Sequence, residues 1–269
     1  RVLHPDQFTQ VILLGPDHYI GFSNGAICDA TAYETPLGRI KLHENTAKLR
    51  RQPELFQPLP IHLDKEHSLE VVLPFLQTYL GKFQMVPIIV GRTDIRSFSN
   101  ALDGILDNDT LMVVSSDLSH FLSHAEAVIR DRETINAIIE MNPDKLVKTD
   151  NRACGIAPIL ILIELARRHH WHPLVLHYAN SGDTAGDRSR VVGYAAIAFF
   201  GDLPMQKNDS NARFTEKQGQ LLVKLARKTI LNKLAGKSPG NDSDALVPAL
   251  QDESLQAHCG TFVTLKIQG

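Results

Sequence analysis

The chain has 269 residues, 43% of them hydrophobic and 22% charged, with a net charge of −2. That is ordinary globular composition, enough for one large domain or one domain and part of another. No basic excess points to nucleic acid, and no acidic excess points to a disordered chain.

Three cysteines, Cys28, Cys154 and Cys259, are few, odd in number and far apart. They argue against a disulfide framework and for a reducing, cytoplasmic setting. No apolar run approaches the roughly 20 residues that span a bilayer, so no membrane partner is expected. The chain opens on Arg1 without a signal-peptide pattern and closes at Gly269 as a strand finishes. Both ends read as cut.

Val11 to Leu14 is short, wholly apolar and rich in branched side chains, the pattern of a buried strand in a parallel sheet. Gly15-Pro16 stops it, and Asp17-His18 follows. That places His18 in the crevice at the carboxyl end of a central strand, where open α/β sheets bind ligands. Gly21 to Ala26 reads as a glycine-rich loop, Thr35 to Gly38 as a turn, and Leu42 to Gln52 as a polar helix. Pro53 to Pro60 reads as a proline-broken connection.

Asp64 to Leu80 reads as a loop and a helix, with Leu69, Val72, Leu73, Leu76 and Leu80 on one face. Gln84 to Gly91 is a second buried strand, whose Pro87 predicts an edge or a bulge. Ile95 to Leu106 is a helix, and Thr110 to Ser115 a third strand ending in the polar run Ser116 to His120. Helices follow over Ala125 to Met141 and Ala153 to Arg168, the second opening at Gly155. Pro173 to Ala179 and Val191 to Phe200 are further strands, and Gly193-Tyr194-Ala195-Ala196 predicts close packing. Strands alternating with helices specify an α/β fold, a mostly parallel central sheet with helices on both faces.

Residues 204–213 are polar and aperiodic, a linker. A new helix starts at Phe214, with Thr215 as N-cap and Gln218 as its capping-box partner. Gly260 to Leu265 reads as a strand. One helix and one strand bury no core, so residues 214–269 read as the start of a further, incomplete α+β domain.

His18, His67 and Cys154 are the candidate metal ligands. Imidazole and thiolate suit zinc, iron and copper, and three protein ligands leave a position for substrate or water. Asp64, Glu66 and Glu70 flank His67 as acceptors that can orient its ring. Cys154 precedes a helix start, where the dipole favours thiolate. Taken singly, His18 reads as a loop histidine, His67 as a surface residue and Cys154 as a small buried hydrophobe. His120, three residues after Asp117, is the candidate general acid/base, and His124 a weaker one. A Ser-His-Asp triad finds no support, because no Gly-x-Ser-x-Gly elbow is present. Gly182, Gly186, Arg188 and Arg190 read as a solvated loop, and His169 to His172 as a helix end.

Taken together, several segments resemble the MEMO family in order and spacing: Gly15-Pro16-Asp17-His18, Thr35-Pro36-Leu37-Gly38, Glu66-His67-Ser68-Leu69-Glu70 with Leu73-Pro74-Phe75, Ser115 to His120, Cys154-Gly155, Tyr178 to Asp183, and Gly193 to Ala196. The resemblance covers roughly residues 3–201. It implies the LigB-like fold of class III extradiol dioxygenases, whose non-haem iron sits between His and carboxylate ligands. It implies a His, His, Cys site here, falling on His18, His67 and Cys154, with His120 nearby. Where true dioxygenases place a carboxylate, this sequence has Cys154. Family members usually carry a further histidine segment, Pro-His-Ala-Gly-Tyr-like, ahead of the position of Arg1.

Residues 214–269 resemble the opening of an AMMECR domain. The pair resembles the fused proteins of the prokaryotic AmmeMemoRadiSam system, which implies a radical-SAM protein as pathway partner. On this reading residues 1–203 are a MEMO-like metal-binding domain lacking its N-terminal strand, and residues 214–269 a truncated AMMECR-like domain. Two functions fit. One is a metal-dependent, dioxygenase-like oxidoreductase acting on a small molecule or protein-bound group, with iron or copper, or else zinc. The other is a non-catalytic module using the same cleft for a peptide or ligand.

Overall fold

The structure, a computed structural model, describes residues 7–60, 66–148 and 153–201. The linker and AMMECR-like segment, together with Asp64, lie outside the described residues.

In chain order the strands and helices are β1 (Gln10–Pro16), β2 (Gly25–Cys28), β3 (Ala32–Thr35), β4 (Gly38–Lys41), α1 (Asn45–Leu49) and β5 (Phe56–Leu59). After a single 3-10 turn at Glu70–Val72 come α2 (Leu73–Leu80), β6 (Gln84–Val90), α3 (Ile95–Asp103), β7 (Thr110–Val114) and β8 (His120–Leu122). The described part closes with α4 (His124–Ile139), α5 (Pro143–Val147), α6 (Ile156–Arg168), β9 (His172–Asn180), α7 (Ser181–Thr184) and β10 (Val191–Phe200).

The central sheet runs β5-β2-β6-β1-β7. β1 is parallel to both β6 and β7, and β2 is parallel to β5 but antiparallel to β6. The fold is the expected α/β class with a mostly parallel sheet. Every residue of β1 is buried, and its side chains alternate between two cores, as period-2 geometry requires. Ile12 and Leu14 pack with Phe98 and Leu102 of α3 and with Ile161 and Leu165 of α6. Val11 and Leu13 face the other way, onto Leu69 and, in α2, Leu73 and Leu80. Helices therefore cover both faces of the central strand.

Three expectations are corrected. Gly25–Cys28 and Phe56–Leu59, read as loop and connection, are strands β2 and β5. Pro58 is tolerated because β5 is an edge. Pro87 is not at an edge: β6 lies inside the sheet, with Pro87 opposite Leu13. The antiparallel pairing with β2 covers only Ile89 and Val90, so Pro87 lies beyond that ladder, where a missing N–H costs no bond to β2. Finally, β9 and β10 leave the central sheet and form an antiparallel one, β8-β10-β9. The short link between them, residues 181–190, does not provide a crossover helix of the length parallel pairing uses.

Candidate metal centre

At the end of β1 the chain turns sharply, and Asp17 holds the turn. Its carboxylate accepts from the backbone N–H groups of Tyr19 at 3.0 Å, Ile20 at 2.9 Å and Phe22 at 2.6 Å. Burial pushes its pKa up, but these bonds and one from Gly21 outweigh it, so the carboxyl lies below its usual range. The turn presents His18 to Glu66. Glu66 Oε2 accepts from the His18 backbone N–H at 2.7 Å, and Oε1 lies 2.9 Å from His18 Nδ1. Oε1 also accepts from the backbone N–H groups of His67 at 2.9 Å and Ser68 at 3.0 Å.

Glu66 is buried. Burial raises its pKa, yet the His18 ring, the His18 and Ser68 amides and the His18 charge lower it further, so it stays ionised. Ser68 Oγ donates to Pro16 O at 3.1 Å and locks the two segments together. Gly15 is required there: a Cβ would stand 2.3 Å from Ser68 Oγ.

This arrangement stacks the His18 and His67 rings, with centroids 5.2 Å apart and planes at 20°. Tyr19 Oη lies 3.4 Å from His67 Nδ1. Ligand atoms of His18, Glu66 and His67 all fall within 4.8 Å of one another, a group that can hold a metal ion. With Nδ1 of His18 donating to a carboxylate, the neutral ring would offer Nε2 to a ligand.

A second group sits at the end of β7, the strand beside β1. Ser115 N donates to Leu14 O at 2.8 Å, which keeps the two strand ends adjacent. Asp117 N donates to Cys154 Sγ at 3.1 Å, and Cys154 N returns a bond to Asp117 O at 3.2 Å. Ser116 Oγ accepts from Gly155 N at 2.8 Å. His120 Nε2 stands 3.4 Å from Asp117 Oδ2. The residues singled out from the sequence thus fall into two sets: His18 and His67 with Glu66, and Cys154 with Asp117 and His120. Cys154 does not belong to the group within 4.8 Å.

The expected thiolate character of Cys154 is corrected. Burial pushes its thiol pKa up and the Asp117 charge adds to this, against the opposing bonds from Asp117 N and Ser116. Glu66, expected to orient His67, makes its shortest ring contact with His18 instead, and Glu70 is exposed.

Sequence reading missed the support beneath the second set. Asp131 of α4 is fully buried. Its Oδ1 accepts from Ser119 N at 2.9 Å and its Oδ2 from Tyr178 Oη at 2.8 Å. Gly193 packs on it so closely that a Cβ would lie 1.9 Å from Oδ2. Gly193 also brackets the segment, accepting from Leu118 N at 2.8 Å and donating to Ser119 O at 2.9 Å. The glycine was legible as close packing, but its buried carboxylate was not. His124 opens α4, with Nδ1 3.1 Å from Asn180 Oδ1. Arg190 stacks over Phe121, its guanidinium carbon 4.9 Å from the ring centroid.

Residues 2–198 match the family described as Memo-like protein. The chain belongs to the Memo-like family. Similar proteins include a MEMO1 family protein of Aquifex aeolicus, 35% identical over 201 residues that cover 71% of this chain and 75% of that protein. Another, from Metallosphaera sedula, is 34% identical over 204 residues, covering 70% and 71%. A third, from Caldivirga maquilingensis, is 32% identical over 201 residues with the same coverage. The Memo-like match spans both sets of site residues. Among the described residues no helix is long and apolar enough to cross a membrane.

Proposed function

We propose that this Memo-like domain is a metal-dependent oxidoreductase acting on a small molecule or a protein-bound group. The observation that carries the reading is the convergence of His18, Glu66 and His67 at the carboxyl end of β1, an interior strand of the sheet. His18 and His67 would hold the metal, with Cys154 as third ligand. Glu66 serves as the orienting carboxylate, because both its oxygens already accept bonds from His18, His67 and Ser68. The donor set of imidazole and thiolate favours iron or copper, with zinc also compatible. Such a metal supplies Lewis-acid or redox chemistry.

The chain's own residues do the rest. Glu66 keeps the Nδ1 proton on His18 and so fixes which nitrogen faces the ligand position. As a ligand, Cys154 would bind as thiolate and so release its proton. His120, with Nε2 3.4 Å from Asp117 Oδ2, is placed to act as general acid or base.

The other reading, a binding module for a peptide or ligand, draws on the exposed Tyr19 and Phe121 beside His67 and His120. Family likeness does not decide between the two. A cytoplasmic site of action, an AMMECR-like domain over residues 214–269 and a radical-SAM protein as pathway partner complete the proposal. Its test is elemental analysis of anaerobically purified protein, with oxygen consumption on candidate substrates. About one metal per chain with turnover supports the oxidoreductase. Metal-free protein that binds ligand without turnover supports the module.

A further inference from the structure

Helix α2 and the turn before it carry two apolar faces. The inward one, Leu69, Leu73 and Leu80, is core. The outward one is not absorbed by the site or the fold. Val71, Phe75 and Tyr79 expose 54%, 66% and 62% of their surface. At four-residue spacing they form one row along the helix. Leu37 widens the row, 58% exposed in the β3–β4 turn, which is tied to α2 by Gln77 Nε2 donating to Gly38 O at 3.1 Å. Large apolar side chains grouped along one line mark an interaction surface, whereas single exposed ones do not.

We propose that this row is where two copies of the chain meet, with α2 antiparallel to its equivalent across a two-fold axis at Phe75. The row is self-complementary in that arrangement. Phe75 meets the partner's Phe75, and Val71 meets the partner's Tyr79, a small branched side chain against a large ring. Charge selects the same orientation. Glu70 is exposed just before the row and Lys82 just after it. The antiparallel pair brings each Glu70 toward the partner's Lys82, whereas a parallel pair sets like charges together. A two-fold contact of this kind uses one patch twice.

Four apolar side chains are few against the roughly 20–30 residues a side of a standard interface, so we expect a weak dimer, with Kd on the order of 10–100 μM. Val71 N donates to His67 O at 3.2 Å, so the partner's Tyr79 comes to stand about one turn from His67 and walls that side of the site.

Sedimentation analysis of the full chain from about 1 to about 300 μM, bracketing that Kd, tests the proposal. The expected result is a reversible monomer–dimer equilibrium in the wild type and a Kd at least tenfold weaker in Phe75→Glu. Glu70→Lys and Lys82→Glu each weaken the dimer severalfold, and the double variant restores it. Circular dichroism checks that each variant is folded. A wild type that stays monomeric throughout, a dimer that survives Phe75→Glu, or a charge swap that fails to restore pairing overturns the proposal.

Discussion

Glu66 is the residue on which the first half of the site depends. It is buried, ionised and bonded through both oxygens. Glu66→Gln keeps its shape but turns one oxygen into an NH₂, which must face an N–H of His18, His67 or Ser68. We expect a stability loss of about 1–3 kcal/mol from the unpaired donors and metal affinity lowered by roughly 10–100-fold. A chelator competition titration reads the second number, and unchanged affinity would mean that His18 needs no orienting partner. The chemistry of Glu66 was legible because a carboxylate beside a candidate ligand histidine is a natural acceptor. Which ring it holds was not, because that depends on the Asp17 turn bringing His18 from 48 residues away. For Cys154, the helix start suggested thiolate, but burial and Asp117 outweigh the dipole. The sign for metal binding follows: the thiol is protonated at neutral pH, and ligation releases that proton. Apparent affinity should therefore rise about tenfold per pH unit up to the raised thiol pKa. Isothermal titration in buffers of different ionisation enthalpy counts the released proton, and a value near zero would remove Cys154 from the ligand set.

At the scale of elements, the strongly periodic segments were legible and the short ones were not. β1, β6 and β7 are apolar enough to declare themselves. β2 and β5 are four residues each, one opening on glycine and the other holding proline, and only pairing makes them strands. The antiparallel unit of β8, β9 and β10 holds the His120 segment against α4 through Asp131, Tyr178 and Gly193. Tyr178 has a pKa pushed up to about 12, by burial first and by its bond to Asp131 and that charge. A raised value means that folding opposes ionisation. The stabilisation is complete below the unfolded tyrosine pKa near 10 and is lost as pH rises through about 12. Tyr178→Phe leaves Asp131 Oδ2 without its donor, at a cost of about 1–3 kcal/mol, or about 2–4 °C in Tm per kcal/mol for a chain of this size. It should also flatten the stability loss between pH 10 and 12, within the limits set by other ionising groups. Gly193→Ala should cost as much or more, since its Cβ collides with a buried carboxylate. Thermal melts across pH give both answers, and a Tyr178→Phe melt that matches wild type at neutral pH would show that the bond carries no stability.

For the molecule as a whole, the sheet brings two chemically different sets of side chains to the carboxyl ends of neighbouring strands. At the end of β1, His18 meets Glu66 and His67 from the segment before α2, and at the end of β7, Asp117 and His120 meet Cys154 from the segment before α6. Sheet order alone makes them neighbours, since β1 and β7 are adjacent though 100 residues apart at Gln10 and Thr110. The pattern of apolar run and polar stop pointed to the ends of β1 and β7 as places where polar side chains collect, whereas the split into two sets and the distances inside each were not readable. On the proposed ligand set, the soft donor would separate this site from a ring-cleaving one. A thiolate in place of a carboxylate tilts a site toward Cu(I), zinc or thiolate-tolerant iron, and away from the open 2-His-1-carboxylate Fe(II) centre. The wild type should therefore show no catechol cleavage above background, and Cys154→Ser should lose at least tenfold in bound metal. Cys154→Asp should regain Fe(II) preference, with the shorter side chain limiting how tightly it binds. Metal content and catechol turnover, measured side by side on the three proteins, decide the matter. Strong ring cleavage by the wild type, or full metal occupancy in Cys154→Ser, would move the ligand role from Cys154 to Glu66, whose carboxylate already stands with both imidazoles within 4.8 Å.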